Sequence, residues 1–153
     1  MEKWLLVVNG ILLYFGVDNK MCRLVRWVIN FMKKILIVED DNFLSDAYNT
    51  ILVRENFQAD IAQDGEEALT KAVSFKPDLI LLDLMLPKKN GLEVLTELKA
   101  NEATRNIPVI IASNLELSSV DHERVDTKAV DAFIKSNISL GELVEMCKRY
   151  TGV

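Results

Sequence analysis

The 153-residue chain predicts an open, doubly wound α/β sheet. Two observations lead there. From Lys34 onward, five short apolar runs alternate with amphipathic stretches of helical length. Three of those runs are continuous and rich in β-branched residues, as parallel strands covered on both faces require. Five βα units in series, joined by right-handed crossovers, satisfy both.

The first segment to account for precedes that body. Residues 4–17 (WLLVVNGILLYFGV) form an apolar run broken by Asn9 and Gly10. As a helix the run spans about 21 Å, short of a hydrocarbon core of roughly 30 Å. Asp18-Asn19-Lys20 follows with no small-x-small cleavage site, so a signal peptide does not fit. A second stretch, residues 24–32, mixes apolar residues with basic ones. Three readings of residues 1–32 stand. The segment lies outside the functional domain, for instance through a misassigned start, since Met32-Lys33-Lys34 opens a domain cleanly. It is a weak membrane anchor whose basic residues hold the rest in the cytoplasm. Or it is an extra helix packed on the domain. The domain proper is expected over residues 33–152.

Within the body, the expected strands are 35–38, 57–62, 79–82, 109–112 and 130–134. The expected helices are 43–56, 65–75, 91–101, 117–127 and 140–150. Asp64 with Glu67, and Ser139 with Glu142, have the spacing of a capping box. Leu140, Leu143, Val144 and Cys147 recur at three- and four-residue steps and mark a buried helical face. Pro77 and Pro108 precede strands, where they stop helices. No repeat, low-complexity segment or interdomain linker interrupts the series, and with no domain after Val153 any output is expected through partner binding.

Charge excludes one class of function. Half the residues are apolar, 27% are charged and the formal net charge is −5. Through Lys34, six basic residues face two acidic ones, so the body is more acidic than the whole. Such a body repels nucleic acid and has no basic stripe to track phosphates. Cys22 and Cys147 are far apart without metal-ligand spacing, as expected for two free thiols in a reducing cytoplasm.

In doubly wound sheets the site lies beyond the carboxyl ends of the strands, near the topological switch point. There the first strand runs into Glu39-Asp40-Asp41, the third into Asp83, the fourth into Ser113 and the fifth into Lys135. With strands ordered 2-1-3-4-5, the first and third are neighbours, and Glu39, Asp40 and Asp83 converge. Carboxylates that close raise one another's pKa, and a hard divalent cation such as Mg²⁺ removes the conflict. Asp41 is free to cap the next helix. A carboxylate on a buried strand can act as a nucleophile towards phosphorus, forming an acyl phosphate. That chemistry needs positive charge and donors around the equatorial oxygens, which Mg²⁺, Lys135 and the Ser113 hydroxyl would supply.

These pieces resemble the receiver domain of response regulators in two-component signalling: ILIVEDD (35–41), DLILLDLMLPKKNG (78–91), PVIIAS (108–113) and DAFIKS (131–136). The resemblance implies a flavodoxin-like (βα)5 fold. It implies Asp83 as phosphoacceptor and Mg²⁺ ligand, Asp40 as direct ligand, Glu39 acting mostly through water, and the Met85 main-chain carbonyl completing the protein ligands. Ser113 becomes the switch hydroxyl and Lys135 the phosphate-binding cation. The implied donor is a histidine kinase or histidine phosphotransfer domain. The implied output is a changed affinity for a target protein at the face of the domain's fourth helix, fifth strand and fifth helix. Such a protein is a cytoplasmic signalling module rather than an enzyme, with a membrane partner only if residues 1–32 anchor it.

Three positions depart from the family pattern. Asn114 stands where Ala or Gly is usual, Ser136 where Pro is usual, and Phe133 lies two rather than three residues before Lys135, which alternation turns to the other sheet face. Met85 and Leu115 occupy the two positions that tune phosphoryl lifetime; neither orients a water, so slow autodephosphorylation is expected. His122 is assigned no role. Alternatives are a pseudo-receiver that binds partners without phosphate and a Mg²⁺-dependent aspartyl-phosphate phosphohydrolase, though the latter needs an acid where Met85 stands. A flavin mononucleotide protein is disfavoured because Glu39-Asp40-Asp41 would repel phosphate.

Overall fold

Five strands align in parallel, and the three central ones bury nearly every side chain on both faces, whereas the two edge strands do so only in part. A computed structural model describes residues 32–114 and 129–153, together with the backbone of two short strands before them. Those two, β1 (Trp4–Val8) and β2 (Ile11–Phe15), pair antiparallel as a sheet of their own, with Val8 opposite Ile11. Within the apolar run of residues 4–17, residues 4–8 and 11–15 are thus strand rather than helix. The two intervening residues are Asn9 and Gly10, the dipeptide that most favours a two-residue hairpin connection.

The main sheet contains β3 (Lys34–Val38), β4 (Gln58–Ala62), β5 (Leu79–Asp83), β6 (Val109–Ser113) and β7 (Asp131–Ile134), in the order β4-β3-β5-β6-β7. Renumbered from β3, this is the expected 2-1-3-4-5, and all four ladders are parallel. Helices α1 (Asn42–Arg54), α2 (Gly65–Phe75) and α3 (Gly91–Ala100) fill the first three crossovers, and α4 (Leu140–Thr151) follows β7. The helix expected over 117–127 lies outside the described residues, as do Leu115 and His122. Among the described residues, no helix is long and apolar enough to cross a membrane.

Strand alternation sorts the core into two layers. Ile35, Ile37, Leu79, Leu81, Ile110, Ala112 and Phe133 face α1 and α4, where Tyr48, Leu52, Leu143, Val144 and Cys147 meet them. Leu36, Val38, Ile80, Leu82, Val109 and Ile111 face α2 and α3, with Ala68, Ala72, Val94, Leu95 and Leu98. Both layers bury large aliphatic side chains almost completely. Each such side chain contributes about 1.5–3 kcal/mol on leaving water.

The helix starts follow the sequence with one change. Asp41 caps α1 by accepting from the amides of Phe43 and Leu44. Ser139 and Glu142 form a full capping box on α4. Asp64 caps α2 through the amides of Glu66 and Glu67, but Glu67 turns back to the amide of Gln63 rather than to that of Asp64, so the box is not reciprocal. A second full box joins Asn90 and Glu93 at α3.

Candidate phosphoacceptor and metal site

The alternation that builds the α1/α4 layer also builds the site. Ile35 and Ile37 are followed at the same parity by Glu39, Leu79 and Leu81 by Asp83, and Phe133 by Lys135. Just past the last packed residue, each strand therefore delivers one ionisable side chain into the same space. The side chains of Glu39, Asp83 and Lys135 are 3%, 6% and 6% exposed, so little water screens them.

Lys135 Nζ donates to Glu39 Oε2 and, at 2.6 Å, to Asp83 Oδ2. The other Asp83 oxygen, Oδ1, accepts from the Met85 amide at 3.0 Å. Glu39 Oε1 accepts a long bond of 3.4 Å from the Asp41 amide. One carboxylate oxygen from each of Glu39, Asp40 and Asp83 lies within 4.8 Å of the others, with Asp40 exposed at the lip. Three carboxylates against one ammonium leave two negative charges uncompensated. An all-oxygen set with that deficit and one open side fits a hard divalent cation that keeps some of its waters.

The electrostatics agree. Burial, together with the neighbouring Asp83 charge, raises the Glu39 carboxyl above its ordinary range, although the Lys135 ammonium pulls it down. Burial by itself would lower Lys135, but its bonds to Asp83 and Glu39 hold it above the usual lysine value. Below the site, burial and the charges of Glu39 and Asp83 push the Tyr48 phenol up to about 12.

The remaining expected site residues stand as follows. Ser113 ends β6, fully buried, one residue past Ala112, the partner of Asp83 in the ladder. Its parity is that of Val109 and Ile111, so it belongs to the α2/α3 side of the sheet, as does Ala132. Phe133 is on the opposite side, in the α1/α4 core, as alternation requires. Met85 is 63% exposed, and Asn114 and Ser136 are exposed. There is no cis peptide bond among the described residues. Sequence reasoning missed the direct Lys135–Glu39 contact; the signal that carries it is that Glu39, Asp83 and Lys135 each lie two residues beyond a side chain of their own strand that packs in the α1/α4 layer.

A family model described as the response regulator receiver domain matches residues 35–148. The chain belongs to the response regulator receiver domain family. Curated relatives include polar-differentiation response regulators DivK of Brucella anthropi, 33% identical over 78% of this chain and 97% of the relative, and of Brucella ovis, 34% identical over the same shares. The receiver domain of a Francisella response regulator superposes with a TM-score of 0.71 at 27% identity, covering 78% of this chain and 97% of that one. The receiver domain of a sensor histidine kinase from Pseudomonas aeruginosa, solved with a magnesium ion coordinated in its active-site cleft, gives a TM-score of 0.71 at 25% identity over 80% of this chain and 99% of that one.

Proposed function

We propose that Asp83 accepts a phosphoryl group from a histidine kinase or histidine phosphotransfer protein, and that the resulting acyl phosphate changes the affinity of the domain for a target protein. One observation carries the reading: the Asp83 carboxylate contacts the Lys135 ammonium and belongs to an acidic group able to hold a divalent cation. Glu39, Asp40, Asp83 and the Met85 main-chain carbonyl would hold Mg²⁺, which supplies positive charge to the transferring phosphoryl oxygens.

The residues divide the work. A carboxylate oxygen of Asp83 attacks phosphorus as the phosphorus–nitrogen bond of the phosphohistidine breaks, and the leaving imidazole takes up a proton. The Met85 amide holds Oδ1, which orients the carboxylate without neutralising it. Lys135 contacts Oδ2 and is placed to follow charge onto an equatorial phosphoryl oxygen. Ser113 donates its hydroxyl to the phosphoryl group and so couples the modification to β6. The added −1.5 to −2 charge (approximate at pH 7) is the signal. It leaves through the surface to which β7 and α4 contribute. In this reading the protein is a cytoplasmic signalling module, not an enzyme, and residues 33–152 form the functional unit.

Intact-protein mass spectrometry after incubation with acetyl phosphate tests the proposal. The expected result is one added phosphoryl group that requires Mg²⁺ and is missing from Asp83→Asn. Equal labelling of the variant rejects it.

A further inference from the structure

The loop between β5 and α3 follows the phosphoacceptor directly, and the N-terminus of α2 is pressed against it. A Cβ added to Gly65 would lie 2.4 Å from the Lys89 carbonyl oxygen, 2.7 Å from Lys89 Cβ and 2.8 Å from Val94 Cγ2. Two of those atoms cannot swing aside: the oxygen is backbone, and Val94 is completely buried. One residue earlier, Asp64 receives Lys88 Nζ on Oδ2 at 2.5 Å while its Oδ1 caps α2. Lys88 holds φ at 63°, a left-handed conformation that a residue with a Cβ adopts only under constraint. The same loop is fixed at its far end by Gly91, where a Cβ would come within 2.2 Å of the Asp83 carbonyl oxygen.

These contacts enclose a short stretch of backbone that includes the Met85 amide on Asp83 Oδ1 and the Met85 carbonyl. We propose that Gly65 and Asp64 are positioning residues for the Mg²⁺ site, acting through this loop; the inference rests on the function proposed above. The N-terminus of α2 works as a brace: its missing Cβ admits the loop at close range, and the Lys88–Asp64 pair closes it. Neither residue touches the metal or the phosphoryl group. Their effect is on where the Met85 backbone and the Asp83 carboxylate stand, in the way that groups behind metal ligands tune affinity.

Isothermal titration of the full chain with MgCl₂, at a temperature well below unfolding, tests this with wild type, Asp83→Asn, Gly65→Ala, Lys88→Gln, Lys88→Arg, Asp64→Asn and the control Gly141→Ala. Gly141 has nothing nearer to an added Cβ than Ser139 Oγ at 4.0 Å. The expected result is a Mg²⁺ dissociation constant about tenfold higher in Gly65→Ala. Lys88→Gln and Asp64→Asn should weaken binding about two- to fivefold, the range of an exposed ion pair, with recovery in Lys88→Arg. Asn keeps the helix cap, so Asp64→Asn isolates the ion pair. Gly141→Ala should bind like wild type. A folded Gly65→Ala with wild-type affinity overturns the brace and leaves the phosphoacceptor reading intact. If Gly65→Ala does not fold, wild-type affinity in both Lys88→Gln and Asp64→Asn overturns it instead. A wild-type chain that takes up no Mg²⁺, or takes it up equally as Asp83→Asn, rejects the functional reading, and the brace falls with it.

Discussion

Lys135 Nζ stands 2.6 Å from Asp83 Oδ2 across 52 residues of sequence, and in the same position it serves Glu39. A single ammonium thus contacts two buried carboxylates. Removing one partner of a buried charge group costs about 3–5 kcal/mol, because the others stay desolvated. Lys135→Met is expected to lose a few kcal/mol of stability in EDTA and to regain part of it in millimolar Mg²⁺, since a ligand of the folded state stabilises by mass action. Thermal melts with and without Mg²⁺ measure both. A variant as stable as wild type in EDTA would show that the pair carries little.

Met85 lies two residues after Asp83 and is 63% exposed, so position 85 opens towards solvent beside the proposed phosphoacceptor. A polar side chain there can hold a water in line with phosphorus. Met85→Asn is expected to shorten the lifetime of the phosphorylated form roughly tenfold, equivalent to about 1.4 kcal/mol in the transition state. The decay of the phosphorylated mass after removal of acetyl phosphate measures it.

Cys147, buried in the α1/α4 layer, offers a pH test. Burial among Leu143, Val144 and Phe133 pushes its thiol up to about 12 from an ordinary 9. Because the folded value is raised, the folded and unfolded chains hold the same proton below about pH 9. Above it the unfolded chain deprotonates first, so stability falls as pH rises towards 12. For one such group the slope approaches about 1.4 kcal/mol per pH unit. Urea unfolding between pH 8 and 11 should show this decline, and Cys147→Ala should flatten it relative to wild type. In the native state at pH 8, Cys147 should resist alkylation.

Glu39, Asp83 and Lys135 are legible as a site because a strand's period of two carries a buried pattern past its last packed residue. Once Ile35-Leu36-Ile37-Val38 is read as a strand, the face of Glu39 follows. The lysine's second partner was less legible, since it depends on how far β7 advances beside β6; the register pairs Ser113 with Ile134 and leaves Lys135 just beyond. The antiparallel pair of β1 and β2 was harder still. Residues 4–8 and 11–15 are apolar at every position, so no alternation separates strand from helix, and only Asn9-Gly10 marks the difference. The brace between α2 and the β5–α3 loop leaves no local trace, because Gly65 and Lys89 approach through space rather than by any sequence period.

The described core holds residues from Ile35 to Cys147. A chain of residues 32–153 is therefore expected to fold and to bind Mg²⁺ with the affinity of the full chain. Circular dichroism and calorimetric titration check this, and a failure to fold would assign residues 1–31 a structural role.

Borohydride reduction bears most directly on the central claim. An acyl phosphate is reduced to an alcohol, whereas a free carboxylate is not, so reduction after acetyl phosphate and Mg²⁺ converts a phosphorylated aspartate into homoserine. Peptide mass mapping is expected to find homoserine at position 83 alone, and none without Mg²⁺. Homoserine at another aspartate, or an unmodified position 83 in protein that has gained a phosphoryl group, would contradict the account.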